Sequence, residues 1–389
     1  METLIILFVL SMIILFYSYI GYGLLLGILV KLKGKKPQFK QVSDEDLPDV
    51  ALVVAAYNEQ DYILHKIDNC LALDYPKDKL HLYLVTDGSN DLTPGLTTLF
   101  ARVKVYHQPE RRGKLAAVDR VMKDIKEPIT IYSDANAIVN EGAVRQMVRH
   151  FQNPEVGAVA GEKSITEDSN SDAASAGEGI YWKYESLLKK WDYQLYSVVG
   201  AAGELFAIRT KLYQKPAPDT LIEDFVMTLE IAKQGYRVAY EPEARALETA
   251  SAELTEELKR KVRISAGGLQ AIWRLRPLLN PFKYGMLSFQ YISHRVLRWT
   301  LAPLALLVAF ITNMLLFGSD ILIFKLLFMA QATFYGLAIL GFYFEKHHIR
   351  IKAMFIPLYF SFMNLSVYLG LLKLVGGHQS VVWDKAKRK

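Results

Sequence analysis

A chain with a single cysteine, Cys70, has no internal disulfide framework and no thiolate metal site. That lone thiol, on a helix expected over 61–72, reads as a packed core residue. The sequence also lacks a Gly-x-Gly-x-x-Gly fingerprint and a Walker loop, which argues against a dinucleotide or ATP site of the usual kind. No basic stripe with interleaved aromatics occurs in the polar part, so the formal net charge of +6 does not point to nucleic acid. Lysines and arginines beside apolar segments, facing anionic membrane lipid, account for it better.

Long apolar runs are what the sequence does have. Residues Leu4 to Val30 are apolar almost without interruption, and about 20 such residues cross the hydrocarbon core as a helix. A secretory signal fits poorly: the start is Met-Glu-Thr, the run is too long, and no small-x-small site precedes Lys31. Lys31, Lys33, Lys35 and Lys36 follow, which predicts an N-terminus outside and a cytoplasmic globular part. From Leu275 to Trp299 prolines and charges mix with aromatics, a pattern for helices lying in the interface.

Three more apolar runs span Thr300 to Phe317, Ile321 to Phe344 and Ala353 to Val375. The uncharged-to-acidic loop Gly318-Ser319-Asp320 suits the outside, and the basic loop Glu345 to Lys352 the inside. His347 and His348 in that basic loop read as interfacial residues rather than a metal pair. Counting crossings sends the C-terminus outside, whereas its basic tail, with Trp383 as an interfacial anchor, favours the inside. Because Pro357, Asn364 and Lys373 interrupt the last run, that segment is expected to be re-entrant or interfacial. The expected division is a membrane helix and basic flank at 1–36, a globular domain at 37–266, interfacial helices at 267–299, membrane helices at 300–375 and a tail at 376–389. The whole would be an integral protein of the plasma (inner) membrane.

Between the membrane parts, apolar runs at Val50 to Ala56, Leu80 to Val85, Val103 to Tyr106 and Pro128 to Ser133 read as strands separated by helices. Continuous apolar strands alternating with helices predict an α/β fold, a mostly parallel sheet with helices on both faces. Ligands in that architecture bind beyond the carboxyl ends of the strands, and those ends carry Tyr57-Asn58-Glu59, Asp87 and Asp134.

Asp87 opens a glycine-containing turn, which suits a carboxylate reading a base or ribose, although a turn aspartate capping the next helix has the same appearance. Asp134 ends an otherwise apolar strand, and one or two carboxylates suffice for magnesium on a diphosphate. Asn136 offers a neutral oxygen at the next position on the same side. Glu223 and Asp224 open a helix, where acids also complement the helix dipole. The basic run Lys259 to Arg263 follows Glu253, Glu256 and Glu257, as a solvated helix face would. Trp182 and Trp191 are aromatics suited to stack on acceptor sugar rings, or to sit in an interface or core.

Taken in order, Val53 to Glu59, Leu73-Asp74-Tyr75-Pro76, Asp87-Gly88-Ser89, Arg112-Gly113-Lys114, Ser133 to Asn136, Gly200 to Glu204, Glu223-Asp224 and Gly235-Tyr236 resemble the motifs of membrane-bound family-2 glycosyltransferases. Hyaluronan, cellulose, chitooligosaccharide and poly-N-acetylglucosamine synthases belong to that group. The resemblance implies a GT-A-like domain and a nucleotide-sugar donor. It implies donor contacts at Ala55, Tyr57, Glu59, Asp87, Lys114 and Asp134, and a Mg2+ or Mn2+ ion at Asp134 and Asn136. Gly203 and Glu204, with Trp182 and Trp191, would face a polysaccharide or glycolipid acceptor, and Asp224 would be the base beside Glu223. Arg263 would stabilise the leaving diphosphate, and accessory export subunits would be possible partners.

Two departures stand out. Processive relatives carry Gln-x-x-Arg-Trp where this chain has Arg260-Lys261-Val262-Arg263-Ile264, and Asn136 replaces a frequent aspartate. The first puts processivity in doubt, and the second predicts weaker metal binding. Three readings follow: an inverting polymer-elongating transferase, a transferase of one sugar to a lipid or short acceptor, and an inactive export scaffold. Retention of all the acids opposes the third.

Overall fold

In a computed structural model, residues 1–165, 173–248, 254–347, 349 and 351–377 are described. The expectations for His348, Trp383 and the basic tail lie outside these residues. Eight strands form one sheet: β1 (Val50–Ala56), β2 (Leu80–Thr86), β3 (Val103–Tyr106), β4 (Ile129–Asp134), β5 (Ile138–Val139), β6 (Val156–Ile165), β7 (Leu205–Arg209) and β8 (Arg237–Glu248). Their order is β3-β2-β1-β4-β7-β6-β8-β5. The four strands read from sequence make the parallel half, with Val50 opposite both Leu80 and Ile129. Burial on both faces explains the apolar runs of β1, β2 and β4, while β3, at the sheet edge, exposes Lys104. Antiparallel β7 joins this half to β6, which pairs in parallel with β8.

Parallel register carries a functional consequence. Ala55 of β1 lies opposite Asp134 of β4, and Ala56 opposite Thr86, the residue before Asp87. The two aspartates therefore emerge from the same edge of the sheet, on either side of the strand that ends at Tyr57. The core beneath them is dense, with Val50, Val54, Leu84, Val85, Ile131, Val159 and Ile208 at no more than 1% exposure. Such packing holds strand ends rigid, which is what a site built on them requires.

The helix Glu2–Lys33 is long and apolar enough to cross a membrane, as are Leu322–Lys346 and Lys352–Val375. Pro281–Trp299 and Leu301–Leu316 meet at a 48° bend and pass the same test only as a broken pair. Large apolar side chains such as Ile13, Leu24, Ile28, Leu307, Met329 and Leu372 are exposed on these helices.

Two expectations change here. Lys352–Val375 is one continuous helix of 24 residues, which departs from the re-entrant form expected and leaves the interfacial one untouched. Its Pro357 lies in the second turn, where little of the hydrogen-bond ladder is lost, and Asn364 satisfies itself on Phe360 O and Tyr19 Oη. The boundary expected at 266 falls inside the helix Leu254–Arg274, which runs on unbroken past it.

Candidate active site

The loops after β1 and β2 are stapled together before any ligand arrives. Asn58 adopts a left-handed backbone (φ 52°). This brings its N–H to Ser89 Oγ (3.1 Å), and its side chain exchanges bonds with Asn90 at 2.8 and 3.0 Å. Glu59 N donates to Thr93 Oγ1 (2.8 Å). Tyr57 lies partly exposed at this corner with the Arg111 guanidinium 3.7 Å above its ring centre, a cation–π stack.

Asp87 is buried and accepts from two backbone groups, Arg112 N (2.8 Å) and Gly113 N (2.9 Å). It does not cap the helix Thr93–Thr97; Asp91 bonds Thr93 N at 2.9 Å instead. Gly88, at φ 68°, leaves room for this crossing, since a Cβ there would lie 2.7 Å from Arg111 N. Asp87 thereby anchors the loop that delivers Lys114 to the first turn of the helix Lys114–Met122.

Lys114 is the hub. Its Nζ lies 2.6 Å from Asp134 Oδ1 and 3.1 Å from Glu223 Oε1. Burial works against the ammonium, but Asp134 and then Glu223 outweigh it and hold the lysine protonated well above its ordinary range. Gly203 closes the other side: a Cβ there would stand 3.3 Å from Lys114 Nζ and 3.4 Å from Asp224 Oδ2. The sheet edge, the Gly200–Glu204 loop and the start of the helix Glu223–Lys233 thus meet at one point.

The adjacent acids have opposite fates. Burial alone would raise the Glu223 carboxyl, yet Lys114 overrides it and keeps it below the usual carboxylate range. Arg263, half-buried on Leu254–Arg274, adds to that effect, which places its charge at the same cleft. For Asp224 the balance reverses: burial first, then the neighbouring Glu223, outweigh the pull of Lys114 and push its carboxyl up to about 7. A carboxyl so poised exchanges a proton near neutral pH.

The loop beside Asp224 is fixed by glycine. Gly200 is at φ 82°, and a Cβ there would come 2.1 Å from the Phe225 ring. Ala201 N donates to Thr228 Oγ1 (3.1 Å) on the same helix as Asp224. Phe225 in turn meets Trp299 edge-to-face at 5.4 Å, and Trp299 packs on Gly268, so the segment Pro281–Trp299 braces the helix that carries Asp224.

Glu204 points to a second cluster. Burial opposes its charge, but Lys163 holds its carboxyl down to about 2. Lys163 also bonds Glu248 at 2.5 Å, and Glu248 accepts from Asn136 Nδ2 at 3.2 Å. The Asn136 amide nitrogen is therefore turned toward Glu248. Lys163 and Glu248, on β6 and β8, escaped the sequence reading because their strands did.

Of the two tryptophans, Trp182 is partly exposed, with Lys261 Nζ 5.7 Å from its ring. Trp191 is placed elsewhere: its ring stands 3.2 Å from the position of a Cβ on Gly27, in the cluster of Tyr22, Leu26 and Leu188. It packs the N-terminal helix against the domain: nine residues after Trp182 on one helix, about two and a half turns further on, its ring meets Gly27.

With this geometry in hand, comparison with known proteins is informative. The model of the glycosyltransferase-like family 2 matches residues 48–267, more than half of the chain. The chain belongs to that family. It is 28% identical over 255 residues, 62% of its length, to poly-beta-1,6-N-acetyl-D-glucosamine synthase of Staphylococcus aureus, and spans 58% of that relative. It is 30% identical over 164 residues, 41% of its length, to beta-monoglucosyldiacylglycerol synthase of Synechocystis, and spans 33% of it. The chain thus aligns with about three fifths of the first relative and a third of the second. Among solved structures, the mannosyltransferase PcManGT of Pyrobaculum calidifontis, in complex with GDP-Man and Mn2+, superposes with a TM-score of 0.73 at 20% identity. The match covers 96% of this chain and 100% of that one. The fold is GT-A-like, and the chain is a family-2 glycosyltransferase.

Proposed function

We propose that the protein is a membrane-embedded inverting transferase that adds sugar from a nucleotide-diphosphate sugar, with UDP as the first nucleotide to test, to a growing β-linked polysaccharide. The observation that carries this reading is the meeting of Asp224, poised at about 7, with the Lys114–Asp134 pair at the carboxyl edge of the sheet. Asp224 takes the proton of an acceptor hydroxyl as that oxygen attacks the anomeric carbon. One displacement inverts the centre, so an α-linked donor yields a β-linkage. Lys114 and Arg263 supply positive charge for the leaving diphosphate.

The donor set fits a hard divalent ion. Asp134 and the Asn136 amide offer oxygens, the Lys114 ammonium already marks a cation position on Asp134 Oδ1, and phosphate oxygens and waters complete an Mg2+ or Mn2+ shell. Among the described residues no group of three His, Cys, Asp or Glu side chains gathers around a point, as expected for an ion held mainly by substrate. When bound, the ion would neutralise charge on the diphosphate.

The long apolar helices, the exposed apolar surface around them and the basic residues after Lys31 support an inner-membrane protein with its catalytic domain in the cytoplasm and its N-terminus outside. A second reading, transfer of one sugar to a lipid or short acceptor, is favoured by Ile264 standing where processive relatives carry tryptophan. So few helices would need accessory subunits to close an export channel.

Membranes containing the protein, incubated with a panel of radiolabelled nucleotide sugars and the products sized, separate the readings. A ladder of long chains supports elongation, and a single-sugar lipid product supports the second reading. No transfer from any donor overturns both in favour of an inactive scaffold.

A further inference from the structure

Beneath the Asp134 turn lies a lysine that the reaction scheme leaves unused. Lys66, on the helix Ile63–Leu71, is 0% exposed and among the largest fully buried side chains of the molecule. Its Nζ donates to Ser133 Oγ (2.7 Å) and to Ala137 O (2.5 Å), the residues on either side of Asp134-Ala135-Asn136. Ser133 Oγ donates onward to Glu204 O (3.1 Å). One ammonium therefore ties the end of β4, the turn that follows it and the Gly200–Glu204 loop. Lys114 reaches Asp134 from the cleft.

The cost of this arrangement argues that it has a use. A buried ammonium is expensive, and among the described residues no carboxylate comes within 4.0 Å of Lys66. Burial disfavours the charge, while Asp134 and Glu248 are among the groups whose fields favour it. Packing of the helix itself is secured independently by Ile63, Ile67 and Cys70, and by Asn69, which exchanges bonds with Val139 at 2.7 and 2.9 Å.

We propose that Lys66 is a positioning residue for the donor diphosphate, setting the Ser133–Ala137 turn so that Asp134 meets a divalent ion and its phosphate oxygens in one fixed geometry. The proposal rests on the assignment of Asp134 given above. Lys66 touches neither substrate nor ion and acts through Ser133 and the turn backbone.

The test uses the full chain in detergent or nanodiscs with UDP and GDP as probes, titrated by calorimetry at fixed Mn2+ and then with Mn2+ varied. In Lys66→Met the affinity of the tighter-binding probe falls at least tenfold, and the Mn2+ concentration for half-saturation rises. In transfer assays KM for the donor rises by a similar factor while kcat changes less than threefold. Loss of structure alone would lower active protein, and so kcat, without this split. Ser133→Ala, which removes one acceptor and leaves the ammonium, weakens binding in the same direction but less. Lys66→Arg, which keeps the charge, recovers part of the loss. Should Lys66→Met fold and bind the probes and Mn2+ as the parent does, the proposal is overturned. Should it fail to fold, unchanged affinity in Ser133→Ala overturns it equally. If the parent chain itself binds neither probe with Mn2+, the assignment of Asp134 fails instead.

Discussion

Replacing Asp224 by asparagine keeps the shape of the site and removes its proton acceptor. The carboxyl stands at about 7, against 3.8 for the free group, a shift of about three pH units. At 1.36 kcal/mol per unit, ionising it in the folded chain costs about 4 kcal/mol. That figure is an upper bound, because the side chain is only partly screened from the cleft and its water. The sign follows from linkage: a raised carboxyl binds its proton more tightly when folded. Its destabilising effect is therefore absent below about pH 4, grows between about 4 and 7, and is full above. Asp224→Asn should accordingly be the more stable chain at pH 8 by up to that amount, with no difference near pH 3.5, read by thermal melting in detergent.

Catalysis moves the other way. Wild-type transfer at saturating donor rises tenfold per pH unit below about 7 and levels above it. The variant loses on the order of 10²–10⁴ in rate, the usual share of a general base, and its residual rate is flat with pH. Binding of nucleoside diphosphate stays within about threefold. Full turnover in Asp224→Asn, or a wild-type inflection near pH 4, would refute the assignment of the base.

Other perturbations address other parts of the structure. Gly200→Ala forces a side chain into a left-handed backbone and into the Phe225 ring, so a loss of roughly 2–4 kcal/mol in melting, with loss of transfer, is expected. Glu185→Ala leaves the buried His294 and the nearby Arg295 and Arg298 without their shared carboxylate, bonded now at 3.0, 2.8 and 2.9 Å. The chain should lose about 3–5 kcal/mol of stability. Trp182→Ala should raise KM for the acceptor without moving that for the donor, whereas Trp191→Ala should lower the melting temperature and leave both constants in place. Chelation of divalent ions should abolish donor binding, and Mn2+ or Mg2+ should restore it; binding that survives chelation counts against an ion on Asp134.

How far the sequence could be read depended on where burial is two-sided. Strands β1, β2 and β4 are largely covered on both faces, so each wrote a near-continuous apolar run bounded by turn residues, whereas the edge strand β3 exposes Lys104. β6, β7 and β8 carry Glu162, Lys163, Arg209, Glu241 and Arg245 among their apolar positions; Lys163 and Glu241 pair, and Arg209 bonds backbone carbonyls, only through contacts distant in sequence, and these polar residues disguise the strands. The same blindness hid Lys163 and Glu248.

Asp134, Lys114 and Asp224 were legible because motifs fix them at element ends. Asp87 was legible as a site residue, but its two backbone bonds to the Lys114 loop depend on a contact across 25 residues that no local pattern announces. Lys66 did leave a trace: it falls three residues after Ile63 and four before Cys70, on the apolar stripe of an amphipathic helix where a lysine needs a reason. The continuity of the helix Lys352–Val375 was hidden because Asn364, which interrupts its hydropathy, is satisfied by Tyr19 and Phe360 O, contacts the sequence does not show.

The most direct test is an anomalous-scattering map of the protein crystallised with Mn2+ and a nucleoside diphosphate. The expected result is an ion on the Asp134 carboxylate, with the Lys114 ammonium moved from Oδ1 to a phosphate oxygen, the base beside Tyr57 and Asp87, and Asp224 open toward the sugar side. An ion and nucleotide bound away from Asp134, or Asp224 facing another surface, would contradict the account.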